Sequence, residues 1–294
     1  SRDHEAPRLD LVGSGLSIVG LMAVLWGIIE GPVKGWSDPT VLGALAVGSV
    51  VLVGFVFWER ASSRPMLDVR YFRNRRFSAA NVSITLMFFA MFGQMFLATQ
   101  YLQTVLGYSA LEAGLRLLPL SLVLLVVAPF GPRLVERVGT KLVVGCGTLL
   151  AAGGIVVIAT VPVADGYLHL FIGFFITSTG MALTMAPATE SIMGSLPPGK
   201  AGVGSAMNDT TRQMGGALGV AVLGSIFASF YRPAISGDLS GFGLSGEQMI
   251  QAQNSIGGAL QVASQLPGES GEAVVGLARS AFVEAGHPRG SDDQ

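Results

Sequence analysis

Apolar residues fall into seven long runs that carry almost no charge, and short polar segments separate them. The runs cover residues 11–29, 41–58, 77–106, 117–132, 142–164, 166–189 and 213–231. A bilayer core about 30 Å thick needs roughly 20 apolar residues in a helix that rises about 1.5 Å per residue. The fourth run is short, and it spans only if the arginines at its two ends extend toward the lipid headgroups. The pattern predicts an all-α, polytopic transmembrane helix bundle of about seven spans.

Positive charges between the runs predict how the spans are oriented. Arginine is concentrated between the second and third runs, at Arg60, Arg64, Arg70, Arg73, Arg75 and Arg76. More lysine and arginine follow the fourth and sixth runs, whereas the alternate connections carry Lys34 or no positive charge. Positively charged connections stay in the cytoplasm, so the first span is predicted to run outward. We interpret the arginine-rich segment as an orientation signal; a nucleic-acid or anionic-lipid surface is the alternative.

Composition narrows the class of protein. Charged residues make up 13% of the 294 and the mean hydropathy is +0.58, whereas soluble proteins carry about 25% charged residues. The expected partner is therefore the lipid bilayer of a plasma or inner membrane, and the net charge of −1 gives no reason to expect nucleic acid. With a single cysteine, Cys146, and three scattered histidines, no disulfide and no metal site are predicted. No catalytic set converges on one side, so neither an enzyme nor a bound cofactor is expected.

The C-terminal residues differ in pattern from the seven runs. An odd number of spans places residues 232–294 outside, as an extracytoplasmic loop and polar tail. Two helical patterns occur there. One begins at Ser245, a plausible N-cap with Glu247 in its first turn, and the other covers about residues 272–285. Neither pattern is long or apolar enough to span a membrane.

Glycines recur at helical spacing inside the runs. Gly215 and Gly219 form a small-xxx-small pair in the seventh run, and similar faces occur in the first and sixth runs, at Gly13, Gly20, Gly27, Gly173 and Gly180. Small residues let helix backbones approach closely, and such packing replaces the hydrophobic drive that lipid removes. The glycines therefore predict a packed bundle.

A few charged residues lie in or beside the runs, where a charge at mid-membrane costs roughly 2.5–3.5 kcal/mol. Arg116 follows Glu112 by four residues, so it either forms an interfacial ion pair or faces a cavity on the substrate path. Glu190 is either a solvated helix-end carboxylate or a partly buried proton-exchanging one. Asp209 and Arg212 share a helix face, which predicts an ion pair that is either structural or a gate.

The third run combines polar and bulky apolar side chains. Gln94, Gln100 and Tyr101 lie among several methionines and phenylalanines, and Gln94 and Tyr101 share a helix face. Amides that orient a guest among shape-adaptable side chains are typical of a cavity for a bulky apolar ligand. The alternative is hydrogen bonding between helices with phenylalanine facing lipid.

Three segments resemble a known family. Residues 202–222, GVGSAMNDTTRQMGGALGVAV, and residues 108–119, YSALEAGLRLLP, resemble signatures of the fourteen-span drug:proton antiporters of the major facilitator superfamily, the EmrB/QacA-like exporters. Residues 136–141, ERVGTK, are similar to the superfamily's loop motif, with matches at Glu136, Arg137, Gly139 and Lys141. The family's leading glycine aligns at Pro132, and Gly131 lies one place early.

The resemblance implies a partial major facilitator fold. Residues 1–60 would be two linker-type transmembrane helices, residues 61–76 a cytoplasmic basic loop, and residues 77–231 five helices of the C-terminal transporter bundle. The family's first six helices and its final helix would be missing, so the chain is expected to be an inactive fragment alone. The implied activity is proton-coupled efflux of small hydrophobic or cationic compounds, driven by the proton gradient. In this family the loop motif sets the balance between inward- and outward-facing states.

Two other functions stay open. A facilitator-fold uptake permease for a small metabolite would be expected to carry more charged or hydrogen-bonding groups on its inward faces. The apolar third run argues against this function. A membrane partner subunit that does not itself transport is the other alternative.

Overall fold

A computed structural model describes residues 10–62, 65, 69–160, 166–197 and 201–286. The described residues form eleven α-helices. Seven of them are long and apolar enough to cross a membrane: α1 (Leu11–Lys34), α2 (Pro39–Ala61), α3 (Arg75–Gln100), α4 (Ala110–Val127), α6 (Thr140–Ala159), α7 (Gly166–Met193) and α8 (Ala201–Leu239). The predicted all-α bundle of seven spans is therefore confirmed. Helix ends are called inner or outer according to the orientation that the arginine-rich connections predict.

Two helices differ from the runs that predicted them. The fourth run, residues 117–132, is split between α4 and the short helix α5 (Phe130–Val138), because the chain turns at Ala128 and Pro129. The fourth span is therefore present but has other bounds, since it begins seven residues before the run and ends five residues before the run does. The seventh run covers only the middle of α8, which begins twelve residues before it and continues unbroken past Arg232. Polar side chains end an apolar run without interrupting the backbone hydrogen bonds of a helix.

Polar caps explain where several helices begin. The carboxylates of Asp10 and Asp38 accept hydrogen bonds from amides in the first turns of α1 and α2, and Asn74 does the same for α3. Ser109 and Glu112 cap α4 reciprocally. The hydroxyl of Thr40, followed by the amides of Thr40 and Val41, donates to the solvent-exposed Asp38 carboxylate and holds its pKa below the usual value.

The helices pack through close backbone contacts. A Cβ atom added at Gly219 would overlap the carbonyl oxygen of Phe89, and one at Gly215 would overlap that of Thr85, so α8 lies directly against α3. In the same way a Cβ at Gly180 would overlap the carbonyl oxygen of Gly147, where α6 meets α7. The helices α1 and α2 form a hairpin in which Gly13, Gly20 and Gly27 are buried on one face of α1, the shared face that their spacing predicted.

The predicted extracytoplasmic loop contains more structure than its pattern indicated. The helices α9 (Gly246–Asn254), α10 (Ile256–Ala263) and α11 (Glu269–Gly286) form a unit at the outer end of α8, which we call the outer helical unit. Ser245 caps α9 as predicted, in a reciprocal pair with Gln248. The unit shares a buried apolar core with Tyr231, Ile235 and Leu239 of α8. The helix α10 had no counterpart among the predicted helices.

Arg232 joins three elements at the outer surface. Its guanidinium donates to the carbonyl oxygens of Pro32 at 3.0 Å and Val33 at 2.6 Å, and also to the side-chain oxygen of Asn254. Two turns of α8 nearer the membrane centre, the hydroxyl of Ser225 donates to the carbonyl oxygen of Ile28 at 2.8 Å. The bonds from Arg232 satisfy carbonyls in the last turn of α1, and together with the Ser225 bond they tie the α1–α2 hairpin to α8 and α9.

We expect Gly219→Val to weaken the bundle, because a side chain at this position meets the backbone of α3. Overpacking of this kind costs about 1–3 kcal/mol, which lowers Tm by several degrees. Thermal unfolding in detergent, followed by tryptophan fluorescence, measures the effect. Gly145→Val is the matched control, because an added Cβ there meets no described atom within 4 Å. Equal Tm values for the two variants would contradict the packing described.

We expect Arg232→Met to loosen the hairpin from the bundle, since up to three carbonyl oxygens lose a charged donor. Hydrogen bonds to charged groups contribute about 1.5–3 kcal/mol each. Hydrogen exchange should become faster in the last turn of α1 and at the C-terminal end of α9. Arg133→Met is the control, since Arg133 is exposed and lies over the ring of Phe130. Unchanged exchange in the Arg232 variant would argue against a role in joining these elements.

Candidate functional site

A cavity of about 230 Å³ lies in the outer half of the bundle. Its walls come from α3, α6, α7 and α8, together with the C-terminal end of α11. The described residues that line it are Gln94, Leu97, Ala98, Tyr101, Ile155, Ile158, Ala159, Leu170, Leu223, Phe227, Phe282, Val283 and Gly286. Among these described residues only Gln94 and Tyr101 carry a polar atom in the side chain. A largely apolar wall with few polar groups is the usual make-up of a site for a small apolar ligand.

Gln94 supplies an amide to this wall. Its side chain is only 8% exposed, and its Oε1 has no hydrogen-bond partner among the described residues. Leaving a buried acceptor unsatisfied costs about 1–3 kcal/mol, so this oxygen is available to accept a hydrogen bond from a bound compound. Tyr101 lies on the same face of the helix, as its spacing from Gln94 predicted, and also lines the cavity. It opens a single π-helical turn, Tyr101–Val105, that continues α3.

Gln100 occupies a different position. It is half-buried, and its backbone carbonyl accepts a hydrogen bond from the hydroxyl of Thr104. The cavity wall, as far as it is described, does not include this side chain. Of the three polar residues predicted in the third run, Gln94 and Tyr101 therefore line the cavity and Gln100 does not.

The aromatic residues of the wall come from two distant parts of the sequence. Phe227 of α8 stacks on Tyr231 and lies 4.4 Å from Phe282 of α11, measured between ring centroids. Neither phenylalanine was predicted as a site residue. The helical pattern over residues 272–285 does place Phe282 on an apolar face, but its partner is set by how α11 folds back on α8. That contact has no local sequence signal.

A polar network lies in the inner half of the bundle. The hydroxyl of Thr211 donates to Asn81 at 2.9 Å, and the guanidinium of Arg212 donates to Thr189 at 3.3 Å and lies 5.3 Å from the ring centroid of Phe88. The predicted ion pair between Asp209 and Arg212 does not form between these two described residues. Asp209 is exposed, while Arg212 is directed inward to a hydroxyl and an aromatic ring.

Arg116 lies between aromatic rings and not in an ion pair. Its guanidinium carbon is 3.6 Å from the ring centroid of Tyr108 and 5.9 Å from that of Tyr167. The Tyr167 hydroxyl donates to the carbonyl oxygen of Arg116 at 2.8 Å. The carboxylate of Glu112 instead caps the first turn of α4 through Ser109. Cation–π contacts replace the predicted helical pair and keep the charge at the outer end of α4.

Glu190 and the loop motif lie at the inner end. Glu190 is exposed near the end of α7, three residues beyond the buried Pro187. Glu136, Arg137 and Lys141 are exposed at the junction of α5 and α6, where Gly139 ends α5 with a φ of 86°. Only glycine adopts that conformation without strain.

Gly131 lies close to α7 in the same region. It is buried, and an added Cβ atom would lie 3.4 Å from the carbonyl oxygen of Leu183. That distance is an ordinary van der Waals contact, so Gly131 faces α7 at a spacing that does not require glycine.

Known proteins match this chain along most of its length. The family profile of the Major Facilitator Superfamily matches residues 11–220. Multidrug resistance protein Stp of Mycobacterium tuberculosis (strain ATCC 25618 / H37Rv) is 34% identical over 230 residues, which cover 78% of this chain and 43% of that protein.

Two further relatives are described as export or efflux proteins. The tetracenomycin C resistance and export protein of Streptomyces glaucescens is 33% identical over 230 residues, 78% of this chain and 43% of its own length. The multidrug efflux pump LfrA of Mycolicibacterium smegmatis is 30% identical over 282 residues, 96% of this chain and 55% of its own length. The chain spans about half the length of the curated relatives it matches. With its seven apolar helices and this match, the chain is a multi-pass protein of the cell membrane and belongs to the Major Facilitator Superfamily.

Proposed function

We propose that this chain forms the C-terminal part of a proton-coupled exporter of bulky hydrophobic or cationic compounds, in the fourteen-span subgroup that its signatures resemble. The names of the relatives support efflux, since they include multidrug resistance, export and efflux proteins. The positions of the signature segments support the subgroup. In this proposal α1 and α2 are the linker pair, and α3, α4, α6, α7 and α8 belong to one of two bundles that rock about a site near the membrane centre.

The observation that carries the proposal is the buried amide of Gln94 in an apolar wall. Its Oε1 can accept a hydrogen bond from an N–H or O–H group of a compound in the cavity. The aromatic side chains of Tyr101 and Phe227 offer flat apolar faces beside it. An apolar compound with one or more donors fits this set, whereas a highly charged metabolite would lose its hydration without replacement. The apolar wall therefore favours export of hydrophobic compounds over uptake of a polar nutrient.

Proton coupling in this proposal uses carboxylates at the inner side. Glu190 is exposed at the inner end of α7, where protons can reach it from the cytoplasm or from a facing bundle. In this proposal Arg116 lies on the substrate path at the outer end of α4, where it holds a fixed positive charge between the rings of Tyr108 and Tyr167. Protonation that favours one bundle orientation over the other would drive the cycle. The loop motif at Glu136, Arg137, Gly139 and Lys141, with Asp209 and Arg212, would set the balance between the two orientations.

We expect Gln94→Leu to weaken the binding of rhodamine 6G, an apolar cation with N–H donors, by about threefold to tenfold. The loss corresponds to one hydrogen bond of about 0.5–1.5 kcal/mol. Tetraphenylphosphonium, an apolar cation without donors, should bind the variant as well as it binds the original protein. Equilibrium binding to the purified protein in detergent measures both probes.

The control for this test is Gln103→Leu, because Gln103 is exposed on the same helix and is not among the residues that line the cavity. Equal losses for both probes in the Gln94 variant would show that the amide does not act as an acceptor. Full binding of rhodamine 6G by that variant would contradict the site itself.

We expect Glu190→Gln to abolish proton-driven accumulation of rhodamine 6G in inverted membrane vesicles that contain the full-length exporter. Binding of the probe should be unchanged, because Glu190 lies far along α7 from the cavity residues. A protonophore should remove the same component of transport from the original protein. Glu247→Gln, in the exposed first turn of α9, is the control. Proton-driven transport by the Glu190 variant would exclude this carboxylate from coupling.

A further inference from the structure

The outer helical unit reaches into the wall of the cavity. Phe282, Val283 and Gly286, in the last two turns of α11, are among its lining residues. Phe282 is 6% exposed and Val283 is 9% exposed, so both are buried although α11 lies outside the seven apolar spans. The cavity is therefore incomplete without a segment that was predicted to be an extracytoplasmic loop.

Two contacts hold α11 in that position. The buried face of α11, including Val274, Ala278 and Phe282, packs into the same apolar cluster as Tyr231 and Ile235 of α8. The guanidinium of Arg279 donates through Nε to the carbonyl oxygen of Thr104 at 3.0 Å. Thr104 lies in the π-helical turn, so this bond fixes α11 to the outer end of the third span.

The ring of Phe282 is placed where a bound compound would touch it. It meets Phe227 at a centroid distance of 4.4 Å with an interplanar angle of 49°, and both rings line the cavity. A tilted pair of rings in an apolar wall can hold an aromatic or cationic guest by stacking and by cation–π attraction. Gln94 and Tyr101 lie on the same wall and supply the polar contacts.

We propose that Phe282 is a specificity-determining residue, contributed by the outer helical unit, that contacts aromatic cations in the cavity and closes its outer side. The inference rests on the proposed function for the identity of the cargo, but the closure of the cavity is independent of it. Cargo selection would then depend on residues outside the spans as well as within them.

The binding test uses Phe282→Ala and the probe tetraphenylphosphonium, whose rings can stack but cannot donate a hydrogen bond. Loss of one aromatic contact should weaken binding about threefold to tenfold, and Phe282→Leu should give a smaller loss. Phe242→Ala is the matched control, since Phe242 packs against the same apolar cluster of the outer helical unit but is not among the lining residues. Equal affinities for the Phe282 and Phe242 variants, with normal binding by the original protein, would overturn the proposed contact.

A second measurement tests closure without any cargo. In a Cys146→Ser background, Leu97→Cys places a thiol on the cavity wall. A membrane-impermeant maleimide added from outside should label it slowly, and Phe282→Ala should speed labelling several-fold while Phe242→Ala leaves the rate unchanged. The same rate in all three proteins would overturn the closure. If no variant binds the probe but Phe282→Ala still speeds labelling, the proposed function fails while the closure by Phe282 stands.

Discussion

Direct backbone contact between helices is the interaction on which this bundle depends. Lipid is as apolar as leucine, so burial of apolar side chains between helices contributes little, and close packing must hold them together. Here Gly215 and Gly219 bring α8 onto α3, and Gly180 brings α7 onto α6. The cavity lies between these two tightly packed pairs, with Gln94 on one pair and Ile158 on the other. Each side of the cavity is therefore a pair of helices held together by backbone contacts.

The spans and their glycine faces could be predicted from the sequence because both depend on local pattern. Hydropathy over about 20 residues decides whether a helix can lie in lipid, and a spacing of seven places residues on one face. The same local basis explains the errors. Polar residues such as Asn208 and Arg212 end an apolar run, yet α8 continues through them because its backbone bonds do not depend on polarity. In the fourth run the turn at Pro129 ends α4, and a hydropathy average does not detect such a turn.

The candidate site could be predicted only in part. Gln94 and Tyr101 were found because a single helix carries both. The partners of Arg116 and Arg212 were not predicted. The guanidinium of Arg116 lies over the rings of Tyr108 and Tyr167. That of Arg212 contacts the ring of Phe88 and the hydroxyl of Thr189, and neither arginine pairs with the carboxylate three or four residues away. The phenylalanines of the wall were missed for the same reason, because Phe227 and Phe282 meet only after the outer helical unit folds back onto α8. Contacts between distant segments depend on tertiary packing, which local pattern does not encode.

The attachment of the α1–α2 hairpin has a mechanical consequence. Arg232 and Ser225 bind the outer turns of α1 to α8, and Arg232 also reaches Asn254. The α1–α2 hairpin, α8 and α9 are thus joined by hydrogen bonds at the outer surface. A displacement of α8 at this surface would therefore carry the outer turns of α1 and the end of α9 with it.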